Sequence, residues 1–116
     1  MRRLIIKPRA DADLRALRRA SHRNFGPVTA RKYNALLRHA YKLLCDDPGR
    51  PGVQKRKDLA GAPCLFHLRH ARVRGVSPKQ PRHTIVVTYD DETLSIIRVL
   101  HDFMDVEAEI GEEPEA

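Results

Sequence analysis

Ile96-Ile97-Arg98-Val99-Leu100-His101-Asp102-Phe103-Met104-Asp105 decides how the chain reads, because an apolar strand runs without a break into charge and imidazole. Residues 93–100 are rich in Ile, Leu and Val, and residues 83–89 read the same way. Asp90-Asp91-Glu92 between them makes a tight polar turn, so the two runs predict an antiparallel hairpin. Greasy residues account for a sheet. Arg98, His101, Asp102 and Asp105 need a second explanation, since a buried unpaired guanidinium costs several kcal/mol. Asp102 or Asp105 could supply the partner of Arg98 as a structural salt bridge; the functional alternative is an anion clamp for a phosphate or an acidic side chain of a target.

Working back from the hairpin, residues 3–7 read as a short strand that Pro8 ends. Ala10, Leu14 and Leu17 recur at helical spacing over residues 9–22, with Asp11 and Asp13 near the start and arginines towards the end, in agreement with the helix dipole. Gly26-Pro27 punctuates. A second helix over residues 28–45 carries Tyr33, Leu36, Leu37, Ala40, Tyr41 and Leu44 on one stripe, and Asp46-Asp47-Pro48-Gly49 stops it. Two helices joined by about four residues predict an antiparallel helical hairpin. Residues 50–63 read as loop, 64–70 as a strand, and 72–82 as a long basic loop.

The expected fold class is therefore α+β: an N-terminal strand, a helical hairpin, then three antiparallel strands. These would form a four-stranded, mostly antiparallel sheet with both helices on one face. Residues 1–105 make one domain, and 106–116 form an acidic tail with little to bury, expected to be flexible.

The 116 residues suffice for a single core. No apolar run approaches the length of a bilayer crossing and the first residues are no secretory leader, so a cytoplasmic location is expected, without a membrane partner. Cys45 and Cys64 stand apart, which suits reduced thiols. The net charge of +7 hides a split: residues 1–83 hold 21 of the 22 Lys and Arg against five acids, and residues 84–116 hold ten acids against one Arg. Such a chain attracts nucleic acid or an acidic protein. Arg69, His70, Arg72, Arg74, Lys79, Arg82 and His83 gather charge on one connection, with too few aromatics nearby to stack single-stranded bases. His67 and His70 lack paired cysteines, and there is no phosphate loop, dinucleotide turn or serine nucleophile motif. No metal and no cofactor are expected.

Several strings resemble the RelE/ParE family of toxins: Phe25-Gly26, Ala30, Tyr33, Leu37 and Asp47-Pro48-Gly49 in the helical part, then Pro81-Arg82-His83, Tyr89, Arg98-Val99-Leu100-His101-Asp102 and Met104-Asp105. The strand-end strings are similar to the ParE-like branch. In that branch an Arg commonly follows the Tyr and an Arg-His pair often follows Met-Asp, whereas Asp90 and the stretch Glu107-Ala108-Glu109 stand here. The resemblance implies the bacterial toxin half of a type II toxin–antitoxin system, inhibiting DNA gyrase by binding, without catalysis of its own. It implies a hetero-oligomer with an acidic, ParD-like antitoxin that folds along the helices and sheet edge, with Leu14, Leu17, Tyr33, Leu37 and Tyr41 as antitoxin contacts.

Arg69, Arg72, Arg82, His83, Arg98, His101, Asp102 and Asp105 are the expected target-binding residues. The alternative that the resemblance offers is a ribosome-dependent messenger RNA endonuclease of the RelE type. His101 would then transfer protons and Arg98 would be its cationic partner, supported by Arg82 and Lys55-Arg56-Lys57. A third reading is a non-toxic relative kept as a binding module.

Overall fold

Helical spacing runs through residues 8–46 with one interruption. In the computed structural model, which describes residues 1–111, they form α1 (Pro8–Asp46), broken at Gly26. Gly26 has φ 81° and ψ 173°, backbone angles that any side chain would strain. Pro27 then opens the second arm, where its missing N–H and fixed φ cost nothing. A straight helix of 39 residues would be about 58 Å long. Yet the Arg2 N–H donates to the Cys45 carbonyl at 3.2 Å, so the second arm returns to where the first began. The expected helical hairpin is present, and its turn needs one non-helical residue where about four were anticipated.

The sheet has five strands, not four: β1 (Arg3–Ile6), β2 (Val53–Lys55), β3 (Cys64–His67), β4 (His83–Tyr89) and β5 (Thr93–His101), in the order β1-β5-β4-β3-β2. β1 lies parallel to β5 and every other pair is antiparallel. The additional strand, β2, sits inside the stretch read as loop. Its three residues carry no apolar alternation, and pairing with Cys64 to Phe66 of β3 holds it. The strand expected over 64–70 stops at His67, whose Nδ1 accepts the Arg69 N–H and turns Leu68–Ala71 into a 3₁₀ helix. Gly52, at φ 97°, lies against the His70 ring so closely that a Cβ there would come within 2.8 Å of it.

Alternation along the strands fills both faces. Phe66, Ile85, Val87, Leu94 and Ile96 pack under the hairpin against Leu14, Leu17, Leu36, Leu37 and Leu44. Leu65, Val86 and Leu100 point to the other face, covered by Leu59 and by Val106 and Ile110 of α2 (Val106–Ile110). Asp105 caps α2 by accepting the Glu107 N–H, and Glu107 meets Arg56 at 2.7 Å. A flexible acidic tail was expected from 106 onward; residues 106–111 instead form a strap over the sheet, while 112–116 lie outside the described residues. Val106 and Ile110, one helical turn apart, supply apolar burial that the acidic composition of the tail conceals. Among the described residues, no helix is long and apolar enough to cross a membrane.

Tyr41 is buried, its hydroxyl has no hydrogen-bond partner among the described residues, and burial pushes its pKa up to about 12. An unpaired buried hydroxyl costs roughly 1–3 kcal/mol. Tyr41→Phe is therefore expected to raise the urea unfolding free energy by about 1 kcal/mol; a loss of stability would show that the hydroxyl has a partner in solution.

Candidate functional site

The working end of β5 is shaped by one extra residue. Val86 faces Arg98 while Val87 faces Ile96, so Ile97 bulges out of the ladder. Ile96 and Val99 consequently both reach the hairpin-side core, and Arg98 turns elsewhere. β1 ends at Ile6, beside Ile96, which leaves the outer edge of β5 without a strand neighbour from there on. Asp13 of α1 fills the gap. Its carboxylate accepts the Val99 N–H at 2.9 Å and the Arg98 guanidinium at 2.8 and 3.1 Å, while Glu109 of α2 accepts a third guanidinium bond at 3.0 Å. These bonds push the Arg98 pKa up against its burial. Arg98 is 8% exposed and joins the hairpin, the sheet and α2.

At the end of the sheet, His83 of β4 pairs with His101 of β5, and their rings meet edge to face at 5.1 Å. Tyr33, from the second arm of α1, accepts the Arg82 backbone N–H at 3.0 Å and shares a hydrogen bond of 2.6 Å with His83 Nδ1. With the hydroxyl assigned as the donor, which uses its one proton, His83 is a neutral imidazole protonated on Nε2. Burial drives the His83 pKa down to about 4, helped by the neighbouring His101, and burial drives Tyr33 up to about 12. His67 Nδ1 takes the Arg69 N–H, so its Nε2 carries the proton it gives to Asp102 Oδ1 at 2.9 Å. His101 Nδ1 accepts the Phe103 N–H at 3.2 Å, and the Phe103 ring lies over the imidazole at 4.9 Å. Phe103 is nevertheless 86% exposed, and Met104 beside it is 43% exposed.

A cavity of about 330 Å³ opens behind this rim, between the turn of the hairpin and residues 78–82. Leu17, Ala20 and Phe25 wall it; Tyr33, Arg82, His83 and His101 supply its polar side. The rim thus offers an aromatic anchor, an imidazole at the cavity and one exposed guanidinium. Among the described residues, no cluster of His, Cys, Asp or Glu could hold a metal ion.

Arg82, His83, His101 and Asp102 meet here, and Arg69 follows the His67 that binds Asp102. Three expectations change. Arg98 pairs with Asp13 and Glu109, not with Asp102 or Asp105, and Asp105 is occupied as the cap of α2. Lys55-Arg56-Lys57 lies on or beside the β2 edge, three strands from His101, with Arg56 bound to Asp58 and Glu107. Leu14, Leu17, Tyr33, Leu37 and Tyr41, expected to meet an antitoxin, are core residues that face the sheet. Arg72 stands apart in the connection that follows β3, its Nε donating to the Pro78 carbonyl.

Two residues went unrecognised in the sequence. Phe103 carried a signal, an aromatic just past a strand end among charges, whereas Asp13 carried none because its partner is 85 residues away. The departures also resolve physically. Asp90 accepts the Glu92 and Thr93 N–H groups and so ties the β4–β5 turn. Arg2 places a guanidinium over Tyr89 at 5.3 Å, restoring a cation beside that tyrosine.

A closed α+β domain that leaves an aromatic anchor exposed on a hydrogen-bonded seat has the form of a protein that holds another protein. The family model described as the ParE toxin of the type II toxin–antitoxin system, parDE, matches residues 4–106, and the chain belongs to that family. The comparison with curated proteins returns no match.

Proposed function

We propose that this toxin inhibits DNA gyrase by binding it through the rim around Phe103, arresting replication and growth until an acidic antitoxin sequesters it. The carrying observation is Phe103 itself: 86% exposed, yet oriented by its N–H bond to His101 and by the ring beneath it. Pre-oriented aromatics of this kind are the anchors that dominate protein interfaces. The antitoxin would lie along the β1 edge, where Leu4 and Ile6 are 37% and 39% exposed, and over the exposed Arg15, Arg18, Arg19 and Arg23 of the first arm of α1. A partly disordered partner that folds on docking suits such an edge.

Transcript cleavage is the second reading, and one observation favours it: His101 lines a cavity beside Arg82. With Nδ1 accepting from the backbone, the neutral ring bears its proton on Nε2, where it could pass to a leaving 5′ oxygen as a 2′-hydroxyl attacks the phosphate. Arg98 and the Lys55-Arg56-Lys57 run, however, are engaged or distant, which leaves that chemistry with little charge neutralisation.

Purified chain is expected to block supercoiling of relaxed plasmid by gyrase. Phe103→Ala is expected to raise the concentration for half-inhibition by roughly 30-fold, the loss of one hot-spot residue. Equal inhibition by both proteins would remove the rim from the mechanism.

A further inference from the structure

Away from the rim, the outer side of the second arm of α1 faces the connection between the 3₁₀ helix and β4. Two adjoining cavities, about 270 and 290 Å³, run between them and share Lys32, Val76 and Ser77. Arg31, Lys32, Arg72 and Lys79 line this trough, with His39 at one end. No Asp or Glu lines either cavity, and among the described residues none of these four cations makes an ion pair. The connection is held in shape: Ser77 Oγ accepts the Val73 N–H at 2.9 Å, the Ser77 N–H returns to the Val73 carbonyl, and Arg72 Nε is tied to Pro78. Four like charges presented on an ordered frame repel one another unless an anion lies between them.

We infer that this trough seats the phosphodiester backbone of a double-stranded nucleic acid. Three features select that partner. From Arg31 to His39 the helix advances about 12 Å, long enough to follow several phosphates of a duplex, which carries one charge per roughly 1.7 Å of axis. No Phe, Tyr or Trp lines either cavity, and the His39 imidazole at one end is too little to stack a run of single-stranded bases. An acidic protein would be expected to meet an aromatic or well-packed apolar anchor at the centre of its contact, as at Phe103, and concentrated unneutralised cations are depleted from such centres. The inference does not depend on gyrase being the target.

The test uses the full chain and a fluorescein-labelled DNA duplex of roughly 20 base pairs, with anisotropy read across a salt series. Four phosphate contacts predict a logarithmic salt slope near −3.6, so affinity should fall about 150-fold between 50 and 200 mM salt. Lys32→Glu with Lys79→Glu should weaken binding more than tenfold, and Lys32→Gln with Lys79→Gln should reduce the slope by about 1.8 while melting like the parent. Lys55→Glu with Lys57→Glu, the same change in net charge on the far sheet edge, should alter affinity less than twofold. A matched RNA duplex identifies the source: tighter binding to DNA or to RNA names which duplex is held, and either supports the seat. Equal weakening by the trough and edge variants, tighter binding to the single strand than to either duplex, or displacement of the duplex by polyglutamate at matched charge would each overturn it. Gyrase inhibition surviving the trough variants would leave the Phe103 reading intact, which keeps the two failures distinct.

Discussion

Asp13→Ala is expected to lower the unfolding free energy by about 3–5 kcal/mol, the usual cost of stranding one member of a buried charge pair. The loss is double. Arg98, 8% exposed, would keep only Glu109, and the Val99 N–H would lose its acceptor at the point where β1 no longer covers β5. Glu109→Ala, at a side chain 35% exposed, should cost far less because water reaches that bond. Replacing Asp13 and Arg98 together with apolar residues of matched size should recover much of the deficit, since the pair's own desolvation then disappears. Urea denaturation of the three proteins measures this; a deficit below about 1 kcal/mol for Asp13→Ala would mean that the pair is weak or open in solution.

Acid should destabilise the fold in a window set by His83. Its pKa is lowered from 6.5 to about 4 in the folded state, so the folded protein stays neutral there while the unfolded chain takes up a proton. Below pH 6.5 the unfolded state binds more protons, and stability is lost as pH falls towards about 4, by at most about 3 kcal/mol. Above pH 6.5 the group contributes no slope. Asp58, Asp90 and Glu107, all held below their ordinary values by hydrogen bonds, lose their contributions only as pH falls below the usual 3.8 to 4.5. The decline between pH 6.5 and 5 therefore belongs to His83 together with His70, whose pKa burial also lowers. His83→Gln should reduce the slope and leave the share of His70, at some cost in stability at neutral pH because Tyr33 loses a partner fitted at 2.6 Å. An unchanged slope in that variant would place the titrating group elsewhere.

Much of this arrangement was legible in the chain. Gly26-Pro27 marked the hairpin turn, Asp90-Asp91-Glu92 marked the β4–β5 turn, and the Ile- and Val-rich runs gave β4 to the residue and β5 to within one. What escaped depends on partners far apart in sequence. β2 exists only because β3 offers it hydrogen bonds, and the bulge at Ile97 is invisible in a run where every neighbour is apolar or charged. Arg98 and His101, both expected to bind the target, separate for a simpler reason: three residues apart on a regular stretch of β5 they take opposite faces, so His101 faces the cavity and Arg98 goes to Asp13 and Glu109. Leu14, Leu17, Tyr33, Leu37 and Tyr41, expected as antitoxin contacts, lie in the core, because an apolar helical stripe records burial without saying whether the sheet or a partner does the burying. Phe103 was within the decisive stretch, and its exposure became apparent only once the turn after β5 set its ring on the surface of His101.

The most direct measurement scores cells expressing the parent chain, Phe103→Ala and His101→Gln for growth, gyrase-linked DNA breaks and messenger RNA cleavage side by side. Binding through the rim predicts arrest with DNA breaks and intact transcripts for the parent, near-complete relief in Phe103→Ala, and partial relief in His101→Gln through the weakened seat of the phenylalanine. Cleaved transcripts that vanish in His101→Gln and persist in Phe103→Ala would contradict the account and make His101 the reacting group.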